Sequence, residues 1–244
     1  MDFEPIIQFD KQLLLALNGS DSLFLDGLAM ALTTASTWVP LYVALFYLVL
    51  KNNENVRQIL LVVACAAACV LLAGTVDDTL VKPLVARWRP THDPQIGILV
   101  DVVDGYRGGK YGFFSAHAAN TFSVAVFFCL LVRSRALSVA LVAWSLTNCW
   151  TRVYLGVHYP GDILCGLLWG GLVGFAVYWA YCRIYVRMKV GKGFISSQYT
   201  STGYQHSDIN VVLSVLAFTL VYCIFRGWIA CITTVVIGGC LTLA

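Results

Sequence analysis

The sequence predicts an all-α protein, a polytopic membrane helical bundle of about six transmembrane helices with an N-terminal interfacial helix. Three observations lead there. Of its 244 residues, 59% are apolar and only 12% charged, against about a quarter charged in a soluble domain. Mean hydropathy is +0.77, more apolar surface than a core of this size can hide, so the bilayer must take the remainder. The apolar residues also fall in runs long enough for a helix to cross a hydrocarbon core of roughly 30 Å, parted by polar connectors.

Residues 6–17 are too short to span, and Gln8, Asp10, Lys11 and Gln12 interrupt them, so this segment is expected to lie along the interface. Spans are expected at about residues 28–50, 58–80, 113–132, 136–157 and 163–186. Their connectors are KNNENVR at 51–57, a polar loop at 91–112, RSR at 133–135 and the tight turn HYPGD at 158–162. A polar loop follows at 187–208, then an apolar tail at 209–244 with Arg226 and Gly227 near its middle. As one helix the tail would run about 50 Å, so one span to about residue 225 and a shorter returning piece are expected. The chain opens with the acidic MDFEP, which is not the basic start of a cleavable signal.

A net charge of +3 is too small and too dispersed for a nucleic-acid surface. All nine cysteines fall inside apolar runs without CxxC pairs or zinc spacing, so they read as packing residues, with neither disulfides nor metal expected. Alternating spans put Lys51, Arg57, Arg133, Arg135, Arg183, Arg187, Lys189 and Lys192 on one face with only Glu54 and Asp208. The other face carries Lys11, Lys82, Arg87, Arg89, Arg107, Lys110, Arg152 and Arg226 with the remaining eleven acids. A count of cations is therefore tied. The first set lies in connectors without another evident job, so that face is assigned to the cytoplasm and the histidine-bearing face to the outside.

Three stretches on the outer face can carry chemistry. In Lys82-PLVARW-Arg89-Pro90 the cations are seven residues apart, so a helix would project both toward one anion. The ordinary alternative pairs Lys82 with Asp78 and lets Arg87 and Arg89 snorkel. In Phe114-Ser115-Ala116-His117, at a helix start, unsatisfied backbone N–H groups make a phosphate cradle, with the Ser115 hydroxyl as a further donor and His117 within the first turn. In Thr151-Arg152-VYLGV-His158-YPG-Asp162, a carboxylate four residues from a histidine can fix its tautomer and leave the other ring nitrogen free to act. Asp162 can equally cap the next helix, and the two roles are compatible. That all three stretches fall on one face outweighs the separate structural explanations, since ionisable residues at a membrane edge are costly.

In order and spacing, KX6RP, SxH and RX5HX3D resemble the signature motifs of the type 2 phosphatidic acid phosphatase superfamily of membrane lipid phosphatases. The family's usual Pro-Ser-Gly-His and Ser-Arg are replaced here by Phe114, Ala116 and Thr151, and Ala116 lacks glycine's freedom at positive φ. The resemblance implies that His158 attacks phosphorus and forms a phosphohistidine, oriented by Asp162, and that His117 protonates the departing oxygen and then activates water. It implies that Lys82, Arg89, Arg152, Ser115 and Ala116 hold the phosphoryl group, with no cofactor and no metal. On this reading residues 1–190 form the catalytic core, 191–208 a cytoplasmic loop and 209–244 the C-terminal hydrophobic span or spans. The expected partners are membrane lipids and a lipid phosphate substrate. An undecaprenyl diphosphate-like lipid is favoured over lipid A, phosphatidylglycerol phosphate and phosphatidic acid. Phosphotransfer to a lipid acceptor, and an anion or phospholipid transport path, are the rival activities. The loop at 91–112 is read mostly as a solvated connector, and the stripe Gly166, Gly170, Gly174 as helix packing within the bundle.

Overall fold

The computed structural model describes residues 4–187 and 196–241, with side chains described to 186 and again over 196–233. Lys189, Lys192, the start of the expected 191–208 loop and the last three residues lie outside the described residues. The described chain is all-helical. Its helices are α1 (Glu4–Leu17), α2 (Leu23–Thr33), α3 (Val39–Lys51), α4 (Val56–Val76), α5 (Lys82–Val85), α6 (Ala116–Val132), α7 (Arg135–Tyr154), α8 (Pro160–Arg187) and α9 (His206–Leu241). Ser22, Asn55, Ser115 and Ser134 cap α2, α4, α6 and α7 by accepting from the first-turn amides of Leu25, Arg57, Ala118 and Leu137, donors that would otherwise be unpaired.

Among the described residues three helices are long and apolar enough to cross a membrane, Val56–Val85, Pro160–Val186 and His206–Thr233. A fourth arises if the bent pair Leu23–Thr33 and Ala35–Lys51 counts as one span. The remaining two of the expected six, α6 and α7, do not reach that test: α6 has 17 residues, and α7 carries Ser145, Asn148, Thr151 and Arg152 on its buried side.

Two expectations about continuity are corrected. The span expected at 28–50 is broken, because α2 and the following segment meet at 68°. The break is stabilised locally: the Thr34 and Thr37 hydroxyls and the Trp38 indole donate to the carbonyls of Met30, Ala31 and Leu32, the last-turn acceptors that a helix end leaves open. Pro40, in the first turn of α3, needs no amide partner there. The tail, by contrast, does not turn back at Arg226 and Gly227, since α9 runs unbroken for 36 residues. Gly227 instead lets α9 approach α2, and a Cβ there would lie 2.9 Å from the Phe24 carbonyl oxygen.

One end of the bundle is tied by connectors. Asn52 donates to Asp208 at 3.0 Å and accepts from the Gln205 amide at 2.7 Å, and Thr202 donates to the Val132 carbonyl at 2.8 Å. The opposite end brings together the starts of α6 and α8 with the end of α7. The glycine stripe on α8 sets that junction, because Gly166, Gly170 and Gly174 face the backbone of α6. A Cβ at each would meet the carbonyl oxygens of Ser115, Ala119 and Ser123 at 2.7, 2.4 and 2.6 Å. Close approach of this kind is what small residues at membrane helix interfaces permit. Gly170→Ala is therefore expected to force α6 and α8 apart, costing about 1–3 kcal/mol as overpacking does, which a thermal unfolding series in detergent would read as a lowered midpoint.

Candidate active site

Asp162 stands in the first turn of α8, and its side chain is fully buried. Pro160 opens the helix and has no amide to satisfy. One Asp162 carboxylate oxygen accepts from the Tyr159 amide at 3.0 Å, closing the cap from the third helical position. The other accepts from Arg87 Nη1 at 2.6 Å, and the Asp162 carbonyl accepts from the Ser115 amide at 3.1 Å. Asp162 thus caps α8 while also holding Arg87 and the Ser115 amide.

His158 lies in the turn just before, 1% exposed. Its Nδ1 is 3.7 Å from Asp162 Oδ2, outside hydrogen-bond range and without another partner, a looseness common in sites without substrate. Its Nε2 is 3.3 Å from Arg89 Nη1. A guanidinium can only donate, so Nε2 is the acceptor and the proton sits on Nδ1, on the Asp162 side. Burial first, then the charges of Arg89, Arg152 and Lys82, push the imidazole well below its ordinary pKa. The ring is held neutral with its free lone pair turned toward cations.

The two guanidiniums among them have no carboxylate partner among the described residues. Arg152 is 2% exposed; its Nη1 donates to Thr33 at 2.6 Å and to Tyr106 at 3.0 Å, but its Nε has no partner. Arg89 donates from Nε to the Tyr111 carbonyl at 3.1 Å, and burial together with the nearby charge of Arg152 lowers its pKa. Two crowded, desolvated guanidiniums beside a neutral histidine form a place that an anion would stabilise. At the start of α6, Ser115 is fully buried as the cap, and the Ala116 and His117 amides occupy first-turn positions that have no intrahelical acceptor. His117 is close enough to Arg152, Arg89 and Lys82 to feel their charges.

Lys82 reaches the site differently from the sequence expectation of one helix face shared with Arg89. The helix stops at Val85, Ala86 takes the left-handed conformation with φ 49°, and Arg89 follows in an extended segment whose Trp88 bridges to Tyr111. Lys82 itself is paired with Asp78 Oδ1 at 2.6 Å, as the ordinary alternative held, and also with buried Asp77 Oδ2 at 2.7 Å. All eight expected site residues nevertheless belong to this end of the bundle.

Residues 58–185 match the family model described as the PAP2 superfamily. The chain belongs to that superfamily. It is accordingly a phosphatase of the membrane lipid phosphatase kind. It is 40% identical over 187 residues to a lipid A 4′-phosphatase of Bacteroides thetaiotaomicron, covering 76% of this chain and 83% of that one. A lipid A 4′-phosphatase of Porphyromonas gingivalis is 35% identical over 189 residues, 76% of this chain and 78% of its own. A decaprenylphosphoryl-5-phosphoribose phosphatase of Mycobacterium tuberculosis is 37% identical over 98 residues, 40% of this chain and 50% of its own. No solved structure is a significant match.

Within this PAP2 site the sequence reading missed Arg87 and Asp10. Arg87 bridges Asp162 at 2.6 Å and Asp10 at 2.7 Å and lies over the Tyr159 ring at 4.1 Å. Burial opposes its charge, but Asp162 and Asp10 outweigh it and hold its pKa above the ordinary value. Asp10 also accepts from the Gly161 amide at 2.8 Å. The interfacial helix is therefore docked on the histidine turn rather than lying free. The loop at 91–112 is likewise more than a connector: it buries Ile96, Val100 and Val103, its Asp93 accepts from Tyr159 at 2.7 Å and pairs with Lys11 at 2.9 Å, and its Tyr106 holds Arg152.

Arg87→Ala would leave the buried Asp162 carboxylate without its cation, a change that costs about 3–5 kcal/mol in comparable pairs. The expected outcome is a fall in kcat of about a hundredfold or more at nearly constant KM. Asp10→Asn, which keeps the shape and one acceptor, is expected to fall between wild type and Arg87→Ala in the same steady-state assay.

Proposed function

We propose that this PAP2 phosphatase removes the 4′-phosphate of lipid A through a phosphohistidine on His158, with the site facing the periplasm. The observation that carries the reaction is the placement of His158, with Nε2 at 3.3 Å from Arg89 Nη1 and Nδ1 turned to Asp162. The substrate rests on the two lipid A 4′-phosphatases to which the chain aligns over most of their length. They favour lipid A over the polyprenyl diphosphate expected from the sequence.

In the first step the His158 Nε2 lone pair attacks phosphorus while the bond from phosphorus to the sugar oxygen breaks, and that oxygen takes its electron pair and a proton from His117. Asp162 stabilises the positive charge that builds on the imidazole. Arg89, Arg152 and the Ala116 and His117 amides take the charge spread over the equatorial oxygens. Lys82 joins them by exchanging its Asp77 and Asp78 partners for phosphoryl oxygen. In the second step water attacks the phosphohistidine, its proton passes to His117, and the P–N bond breaks to release inorganic phosphate and restore His158. Three side-chain cations supply the charge neutralisation, so no metal ion is required.

Purified protein in detergent micelles, given lipid A, undecaprenyl diphosphate and phosphatidic acid in parallel, tests this reading. The expected result is preferential turnover of lipid A to a product that keeps its 1-phosphate, insensitivity to EDTA, and loss of about a thousandfold or more in His158→Ala. Preference for undecaprenyl diphosphate would replace the substrate, and undiminished activity of His158→Ala would remove His158 as nucleophile.

A further inference from the structure

A groove of about 740 Å³ opens between the α2–α3 bend and α9, within the range of pockets that enclose small molecules. It exists because α2 and α3 bend by 68° while α9 runs straight past them. The apolar side chains of Val215 and Phe218 and the ring of Tyr222 line it along α9, and Phe218 is 74% exposed. Asp104 and Arg226 also line it. Arg226 is twenty residues into α9, about 30 Å from its start, at the histidine end of the bundle. It has no ion pair among the described residues.

The groove adjoins the phosphate site. Thr34 lines it, and its neighbour Thr33 holds Arg152 at 2.6 Å. Asp104 lines it, and Tyr106, two residues on, holds the same guanidinium at 3.0 Å. Apart from Asp104, the lining residues lie outside residues 58–185, the stretch matched to the family. The groove is therefore built by the chain's flanking helices, where selectivity can differ without altering the reaction.

We infer that this groove is a substrate-selectivity subsite, in which Arg226 binds a second phosphate of the lipid while an acyl chain lies along the wall of Val215, Phe218 and Tyr222. The inference rests on the lipid A reading above. Lipid A carries a phosphate on each sugar of its disaccharide, so removal of one leaves an anion at a distance from the reacting centre. Its hydroxyl and amide N–H groups give Asp104 donors to accept from, which a bare polyprenyl diphosphate lacks. Arg226, without an ion pair among the described residues and flanked by apolar residues of α9, needs such an occupant or must snorkel to water; the two roles differ in kinetics.

The test compares lipid A bearing both phosphates with the same lipid bearing the 4′-phosphate alone, using purified full-length protein. Wild type is expected to prefer the bisphosphate by about tenfold in kcat/KM, the scale of one charge-assisted hydrogen bond, through KM rather than kcat. Arg226→Gln is expected to erase the preference and Arg226→Lys to keep most of it, which separates lost charge from lost folding. Ser36→Trp, placed at the exposed lip of the groove, is expected to raise KM for both lipids. Indifference of wild type to the second phosphate, or a preference that survives Arg226→Gln, overturns the subsite, as does an unchanged KM in Ser36→Trp. Those results leave the lipid A reading standing, whereas wild type that turns over neither form of lipid A overturns both.

Discussion

A carboxylate with no solvent exposure is stable only where its charge is paired and its lone pairs are filled, and Asp162 meets that condition by drawing three parts of the chain to one point. Its oxygens are taken by Arg87 and by the Tyr159 amide, and its main-chain carbonyl by the Ser115 amide. The segment after α5, the start of α6 and the turn into α8 are thereby registered to one another. Each of the three signature stretches contributes to this contact or lies within a few residues of it. Arg87 then extends it to α1 through Asp10.

The helical scaffold makes that register possible. Glycines on α8 remove the side chains that would hold α6 away, with Ala119 oxygen only 2.4 Å from where a Gly170 Cβ would stand. The approach brings the α6 N-terminus, with its open amides and His117, alongside His158. The same crowding explains the electrostatics. Arg89, Arg152 and Lys82 surround a buried imidazole and hold it neutral, the form a nucleophile needs, while carboxylates occupy Lys82 and Arg87. Arg152, with an unpartnered Nε, and Arg89 leave positive charge for a phosphoryl group to neutralise.

Helix content and the grouping of charged and histidine residues at one end of the bundle were legible because each leaves a one-dimensional signal, an apolar run of spanning length or a fixed spacing of charged and histidine residues. Arg87 was not, because its value depends on Ala86 ending the helix in the left-handed region; on a continued helix, Arg87 would not share a face with Lys82 and Arg89. Asp10 looked like an interruption in an interfacial helix, since its partners are 77 and 151 residues away. The bend at Thr34 depends on side chains capping carbonyls four to six residues back, which a hydropathy window averages out. Gly227 reads as a breaker until α2 is seen beside it. In each case the deciding partner is distant in sequence or is a backbone atom.

In the proposed reaction His158, held in register by the contacts of Asp162, takes the phosphoryl group. Rapid quenching of the purified enzyme during turnover of lipid A labelled with 32P at the 4′-phosphate, followed by digestion and mass spectrometry under alkaline conditions, addresses it most directly. An alkali-stable, acid-labile phosphoramidate is expected on the peptide containing His158. Label on the His117 peptide, or no labelled residue at any quench time before the turnover is complete, rules it out.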